Sequence, residues 1–230
     1  PCTAGPVVPS ESVFIKICGI TTEDDALLAV AMGADAVGFV FAPSPRQIAV
    51  KRAYDISRRL PPEILTVGVF RDEHPNRVIE MVHDAGLKAA QLHGHESPAD
   101  VAAVSASVRF VVKAVVAGST DARHADKFGT GLVLLDAPAP GSGKVFDWSL
   151  AGDVATGPRI ILAGGLTPDN VADAINQTRP WGVDVSSGVE SEPGRKDPRL
   201  LRTFIAAARA AAPLPYVGPD DMPYDWQDDL

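Results

Sequence analysis

RIILAGGLTPDNVADAI, residues 159–175, passes from a short apolar run through a glycine turn into a helical pattern. The run RIILA is almost continuously apolar instead of alternating, as expected of a strand covered on both faces. Gly164 and Gly165 supply the tight turn. Thr167 can cap the helix that follows, and Pro168 falls at its first position, where a missing N–H costs least. The stretch therefore reads as strand, tight turn, helix.

Outward from this unit the same pattern recurs in both directions. Short β-rich runs stand at 13–18 (VFIKIC), 35–40 (DAVGFV), 64–70 (ILTVGVF), 88–93 (KAAQLH), 109–115 (RFVVKAV), 131–137 (GLVLLDA), 159–165 and 182–188 (GVDVSSG). Their starts lie roughly 20 to 30 residues apart, the length of one βα unit with its loops. Helical spacing fills the intervals, as in DDALLAVAMGA with its acidic first turn and late glycine. The final helical stretch, DPRLLRTFIAAARAAA, stops before Pro213. A doubly wound open sheet shares this alternation, but no GxGxxG follows the first run. The expected fold is α/β, a single (βα)8 TIM barrel with a parallel eight-stranded sheet. It spans residues 13–212, between a flexible N-terminal segment (1–12) and an acidic, proline-rich tail (213–230). The aromatic residues of that tail, Tyr216, Tyr224 and Trp226, are read as pinning it to its own domain, with a partner site as the alternative.

Composition narrows the function classes. The chain is 46% apolar and 22% charged, ordinary usage for a globular domain. A net charge of −8 opposes nucleic acid as a partner, while leaving room for one local anion pocket. Two cysteines, Cys2 and Cys18, cannot form a disulfide framework and suit a reducing cytoplasm. The start PCTAGPVVPSES lacks the regions of a signal peptide, and every apolar run is too short to span a bilayer. The expectation is a cytoplasmic protein with no membrane contact.

In such a barrel the reacting groups sit where strands end and loops converge. Cys18 closes the first run and Asp136 the sixth. A cysteine in an apolar run can be a small buried hydrophobe, and the aspartate can brace a loop. Burying an unpaired carboxylate is nevertheless costly, so Asp136 calls for a partner or a task. The turns holding Gly164 and Gly165 and, after the eighth run, Ser186 and Ser187 would lie side by side. There backbone N–H groups and hydroxyls can cradle a phosphate. In FAPSPRQI, a proline-stiffened loop presents Arg46, a donor fork suited to a carboxylate. Histidines 74, 83, 95 and 124, and HGH at 93–95, lack companions at metal-ligand spacing, so no metal is expected.

KICGIT (16–21), GFVFAPSPRQI (38–48), VGVF (67–70), QLHG (91–94), LAGGLTPDNV (162–171) and GVDVSSGVE (182–190) together resemble the phosphoribosylanthranilate isomerase family. The motifs run in family order along nearly the whole barrel. The resemblance implies the Amadori rearrangement of N-(5-phosphoribosyl)anthranilate in tryptophan biosynthesis, with a small sugar phosphate as substrate and no cofactor. It implies Cys18 as general base and Asp136 as general acid. It also implies Arg46 on the anthranilate carboxylate, and Gly164, Gly165, Ser186 and Ser187 on the phosphate. Lys16 and Asp184 are further expected substrate contacts; a Cys18 base needs a lowered thiol pKa, from nearby cations such as Lys16 or from helix dipoles, a shift the sequence does not show. One departure is PGSGKVFDW at 140–148, where a GGTG-like loop is expected before FDW. Pro140 would restrict that loop.

Two other readings stand beside this one. A dual-substrate barrel isomerase that also serves histidine biosynthesis would use an aspartate base, which the cysteine of the first strand opposes. A non-catalytic phosphate-binding barrel would not need both Cys18 and Asp136. Monomer and homodimer are both open.

Overall fold

The computed structural model describes residues 13–137 and 157–211. Cys2, Pro140 with its loop, and the tail bearing Tyr216, Tyr224 and Trp226 lie outside the described residues. All eight apolar runs form strands: β1 (Phe14–Ile17), β2 (Ala36–Val40), β3 (Leu65–Phe70), β4 (Ala89–Leu92), β5 (Phe110–Val116), β6 (Leu132–Asp136), β7 (Arg159–Leu162) and β8 (Gly182–Val185). Each pairs in parallel with the next, and β8 returns to β1 in register from Phe14↔Gly182 to Ile17↔Val185, closing the barrel.

Closure sorts the side chains into two layers. Residues of one parity, among them Phe14, Leu65, Phe110, Leu132 and Ile161, fill the barrel interior, with Phe14 stacked on Trp181 at 4.5 Å. Residues of the other parity, such as Ile15, Phe39, Leu135 and Val183, meet the helices in a larger outer core. This double burial explains why the strands read as continuous apolar runs. Toward the C-terminal ends the inward positions turn polar, and Lys16, Gln91, Asp136 and Asp184 are all buried there.

The helices are α1 (Glu23–Ala31), α2 (Val50–Ser57), α3 (Pro75–Asp84), α4 (Pro98–Ser105), α5 (Thr120–Arg123), α6 (Val171–Thr178) and α7 (Pro198–Ala210). Thr22 caps α1, a Ser97–Asp100 capping box opens α4, and Asp197 caps α7. None of the described helices is long and apolar enough to cross a membrane. Two features differ from the sequence reading. Thr167 does not cap α6: Asn170 takes the cap position, and its side chain reaches back to Thr167 N (2.8 Å) and Gly165 O (3.0 Å). The helix thus starts at Val171, because that Asn170 brace holds residues 167–170 as a turn. A hairpin of β9 (Glu190–Glu192) and β10 (Arg195–Lys196) also intervenes between β8 and α7.

Candidate active site

β1 delivers Cys18 to the mouth one residue past its end, buried, with its N–H donating to Val185 O at 2.8 Å. Two residues earlier on the same inward parity, Lys16 faces Asp184 across the β1–β8 pairing and donates to its Oδ1 at 2.8 Å. Room for both side chains comes from β2. A Cβ on Gly38 would fall 2.9 Å from Cys18 Sγ and 3.1 Å from Lys16 Nζ, so the bare backbone there is a packing requirement.

The electrostatics of Cys18 run against the lowered pKa that a base at neutral pH needs. Burial pushes the thiol up; the ammonium groups of Lys16 and Lys196 pull it down, but Asp184 offsets them, and the balance stays above the ordinary value. Lys16 is disfavoured by its own burial, yet Asp184 and Cys18 raise it on balance. Burial thus disfavours the Cys18 thiolate, which once formed is the stronger base.

On the other side of the mouth Asp136 ends β6, nearly buried. Its Oδ1 accepts from Ala137 N at 2.8 Å, and its Oδ2 lies 3.1 Å from His93 Nε2. His93 follows β4 directly, its N–H bound to Phe70 O and its Nδ1 2.8 Å from Gln91 Nε2. His93, within the QLHG motif but with no role assigned from the sequence, obeys the same strand-end rule that selects Cys18 and Asp136.

Gly164 and Gly165 form the turn after β7, both with positive φ (84° and 70°). Ser186 follows β8, and Ser187 opens a single 3-10 turn (Ser187–Val189). A Cβ on Gly188 would overlap the Leu166 carbonyl oxygen, which puts the two turns in contact, as the barrel order requires. Arg46 sits in the loop after β2, half-buried. Its Nε donates to Glu190 Oε1 at 2.9 Å and its Nη2 to Glu190 Oε2 at 2.7 Å. Neither Glu190 nor its second partner, Lys196, stood out in the sequence. The Pro193–Gly194 turn marks their hairpin but not their task.

A closed parallel barrel whose interior turns polar at one mouth, presenting a thiol, a carboxyl and an imidazole there, defines a (βα)8-barrel enzyme. Residues 15–207 match the family model of N-(5'phosphoribosyl)anthranilate (PRA) isomerase. The chain belongs to that family. The N-(5'-phosphoribosyl)anthranilate isomerase of Desulforudis audaxviator is 48% identical over 205 residues, covering 86% of this chain and 98% of the relative. The phosphoribosyl anthranilate isomerase structure from Thermus thermophilus superposes with a TM-score of 0.81 at 41% identity, covering 86% and 99% of the two chains. Another, solved with reduced 1-(o-carboxyphenylamino)-1-deoxyribulose 5-phosphate, gives 0.76 at 40% identity over 86% and 99%.

Proposed function

We propose that the chain converts N-(5-phosphoribosyl)anthranilate into 1-(2-carboxyphenylamino)-1-deoxyribulose 5-phosphate, an Amadori rearrangement of tryptophan biosynthesis, with Cys18 as base and Asp136 as acid. The observation that carries the assignment is the placement of a buried thiol and a buried carboxyl at the ends of β1 and β6, facing one mouth. Asp136 in its acid form donates a proton to the furanose ring oxygen, the C1–O bond breaks, and an open-chain Schiff base forms. The Cys18 thiolate then takes the C2 proton, the electron pair moves toward nitrogen, and the resulting enolamine tautomerises to the ketone. His93, 3.1 Å from Asp136 Oδ2, is the neighbour through which the acid can regain its proton.

Binding follows the surrounding groups. Arg46 meets the anthranilate carboxylate, the turns at Gly164–Gly165 and Ser186–Ser187 hold the phosphate, and Asp184, steadied by Lys16, meets ribose hydroxyls. The barrel at 13–212 acts as one domain, apart from the segments 1–12 and 213–230. A free catalytic thiol suits a reducing cytoplasm.

Fluorescence-monitored consumption of phosphoribosylanthranilate generated in situ tests the assignment. Wild type turns over, and Cys18→Ala and Asp136→Ala each lose about 10²- to 10⁴-fold in kcat. Turnover near wild type in either variant would remove that residue from its role. A wild type inert on this substrate but active on the histidine-pathway ribotide would replace the proposed reaction.

A further inference from the structure

Arg46 is not held by the barrel but by the hairpin that follows β8. Glu190, its side chain 4% exposed, takes the Nε edge of the guanidinium at 2.9 Å and 3.1 Å and Nη2 at 2.7 Å. Arginine carries five N–H donors in a fixed fork. With the Nε side engaged, the Nη1 edge is the one left for a ligand. Glu190 is in turn held by Lys196, whose side chain is fully buried and whose ammonium donates to Glu190 Oε1 (2.8 Å), Cys18 O (2.6 Å) and Ser186 O (3.1 Å). Those bonds use every proton of the ammonium and tie the hairpin to the ends of both β1 and β8.

We propose that Glu190 and Lys196 are positioning residues that set the enzyme's selectivity for a carboxylate-bearing aglycone. The proposal rests on the reading of Arg46 as the carboxylate contact. The charge count of this cluster supports it: its two cations, Arg46 and Lys196, and one anion, Glu190, leave one positive charge, the complement of a single carboxylate. Without Lys196 the Arg46–Glu190 pair is self-neutralised. Without Glu190 the fork keeps its charge but loses the bidentate anchor that fixes its plane, and a planar donor recognises a carboxylate only when so oriented. Burial matters as well, because Lys196 and Glu190 cannot exchange their partners for water.

Calorimetric titration with two probes tests this: reduced 1-(o-carboxyphenylamino)-1-deoxyribulose 5-phosphate and the same compound lacking the carboxylate. The readout is the ratio of the two affinities, which a loss of general packing would not move. Wild type strongly prefers the carboxylated probe, and Arg46→Met abolishes most of the preference. Glu190→Gln and Lys196→Met each reduce the ratio on the order of tenfold, as loss of a supporting contact behind a binding group does. Affinity for the decarboxylated probe stays within about threefold, the scatter expected of contacts that are not shared. An unchanged ratio in Arg46→Met would refute the Arg46 reading. A collapsed ratio in Arg46→Met with wild-type ratios in Glu190→Gln and Lys196→Met would refute the positioning role alone. Thermal melts accompany each variant. Should Lys196→Met fail to fold, the near-isosteric Glu190→Gln and the shortened Glu190→Asp decide, since both must lower the ratio.

Discussion

Cys18 shows how far a single residue can be read from the chain and where that stops. Its strand-end position follows from the periodic runs, but the sign of its pKa shift depends on burial and on a carboxylate brought from β8. A thiol held above its ordinary value is ionised in only a small fraction of molecules at neutral pH. Each thiolate is then a better acceptor of a carbon-bound proton, the trade that Brønsted behaviour describes. Alkylation of the free enzyme by iodoacetamide across pH is expected to rise with a midpoint above the ordinary thiol value of about 8.5. Asp184→Asn removes a contribution that raises the thiol and shifts the midpoint down. Lys16→Met removes the largest one that lowers it and shifts the midpoint up. A wild-type midpoint well below the ordinary value would instead mean that the cations outweigh burial.

Among the elements, the loop between β4 and α4 rests on a network of buried polar contacts. Glu96, buried, accepts from Gly94 N and Asp72 N at 3.0 Å each and pairs with Lys113 at 2.7 Å, while Lys113 also donates to Leu92 O and Gly94 O. The network fixes the chain on both sides of His93 and so the direction in which its imidazole meets Asp136. Lys113→Met leaves the Glu96 carboxylate buried without its partner and is expected to cost about 3–5 kcal/mol, seen in urea unfolding. Replacing both partners, Lys113→Met with Glu96→Leu, removes the orphaned charge and recovers a large part of that loss. Additive losses in the double variant would mean that the pair is not acting as a unit. None of this was legible in the sequence, because Lys113 sits in an apolar strand on the parity facing the helices. The hairpin at 190–196 was equally hidden: Glu190 closes the GVDVSSGVE motif without a task of its own there, and it meets Arg46 from 144 positions away. What could be read were the strands, whose apolar runs are long enough to override local ambiguity, and the residues placed at their ends.

For the whole molecule, barrel geometry separates the groups that hold the fold from those that perform the reaction. The mouth carries Lys16, Gln91, Asp136 and Asp184, while the shell under the helices is mainly apolar, with the Lys113–Glu96 pair as an exception. The helix α7 belongs to that shell. Leu201, Phe204, Ile205 and Ala208 are buried, and at its end Arg209 donates to Asp35, at 2.9 Å and 3.0 Å, and to Val13 O, securing the chain around the start of β1 and β2. Burial pushes the Asp35 carboxyl up, and Arg209 only partly offsets this, so that ion pair adds little and the apolar face of α7 is the main attachment. Phe204, fully buried, leaves a cavity when cut to alanine, at a cost of about 3–5 kcal/mol. A domain of this size loses roughly 2–4 °C of Tm per kcal/mol, so calorimetry should record a fall of about 6–20 °C. At 25 °C the folded fraction still dominates, and kcat and KM of Phe204→Ala should match wild type. The mouth variants Cys18→Ala and Asp136→Ala show the reverse, an intact Tm with lost turnover. If Phe204→Ala lowered kcat well below its own melting range, the shell would be transmitting strain to the mouth. The division of labour between the two regions would then be wrong.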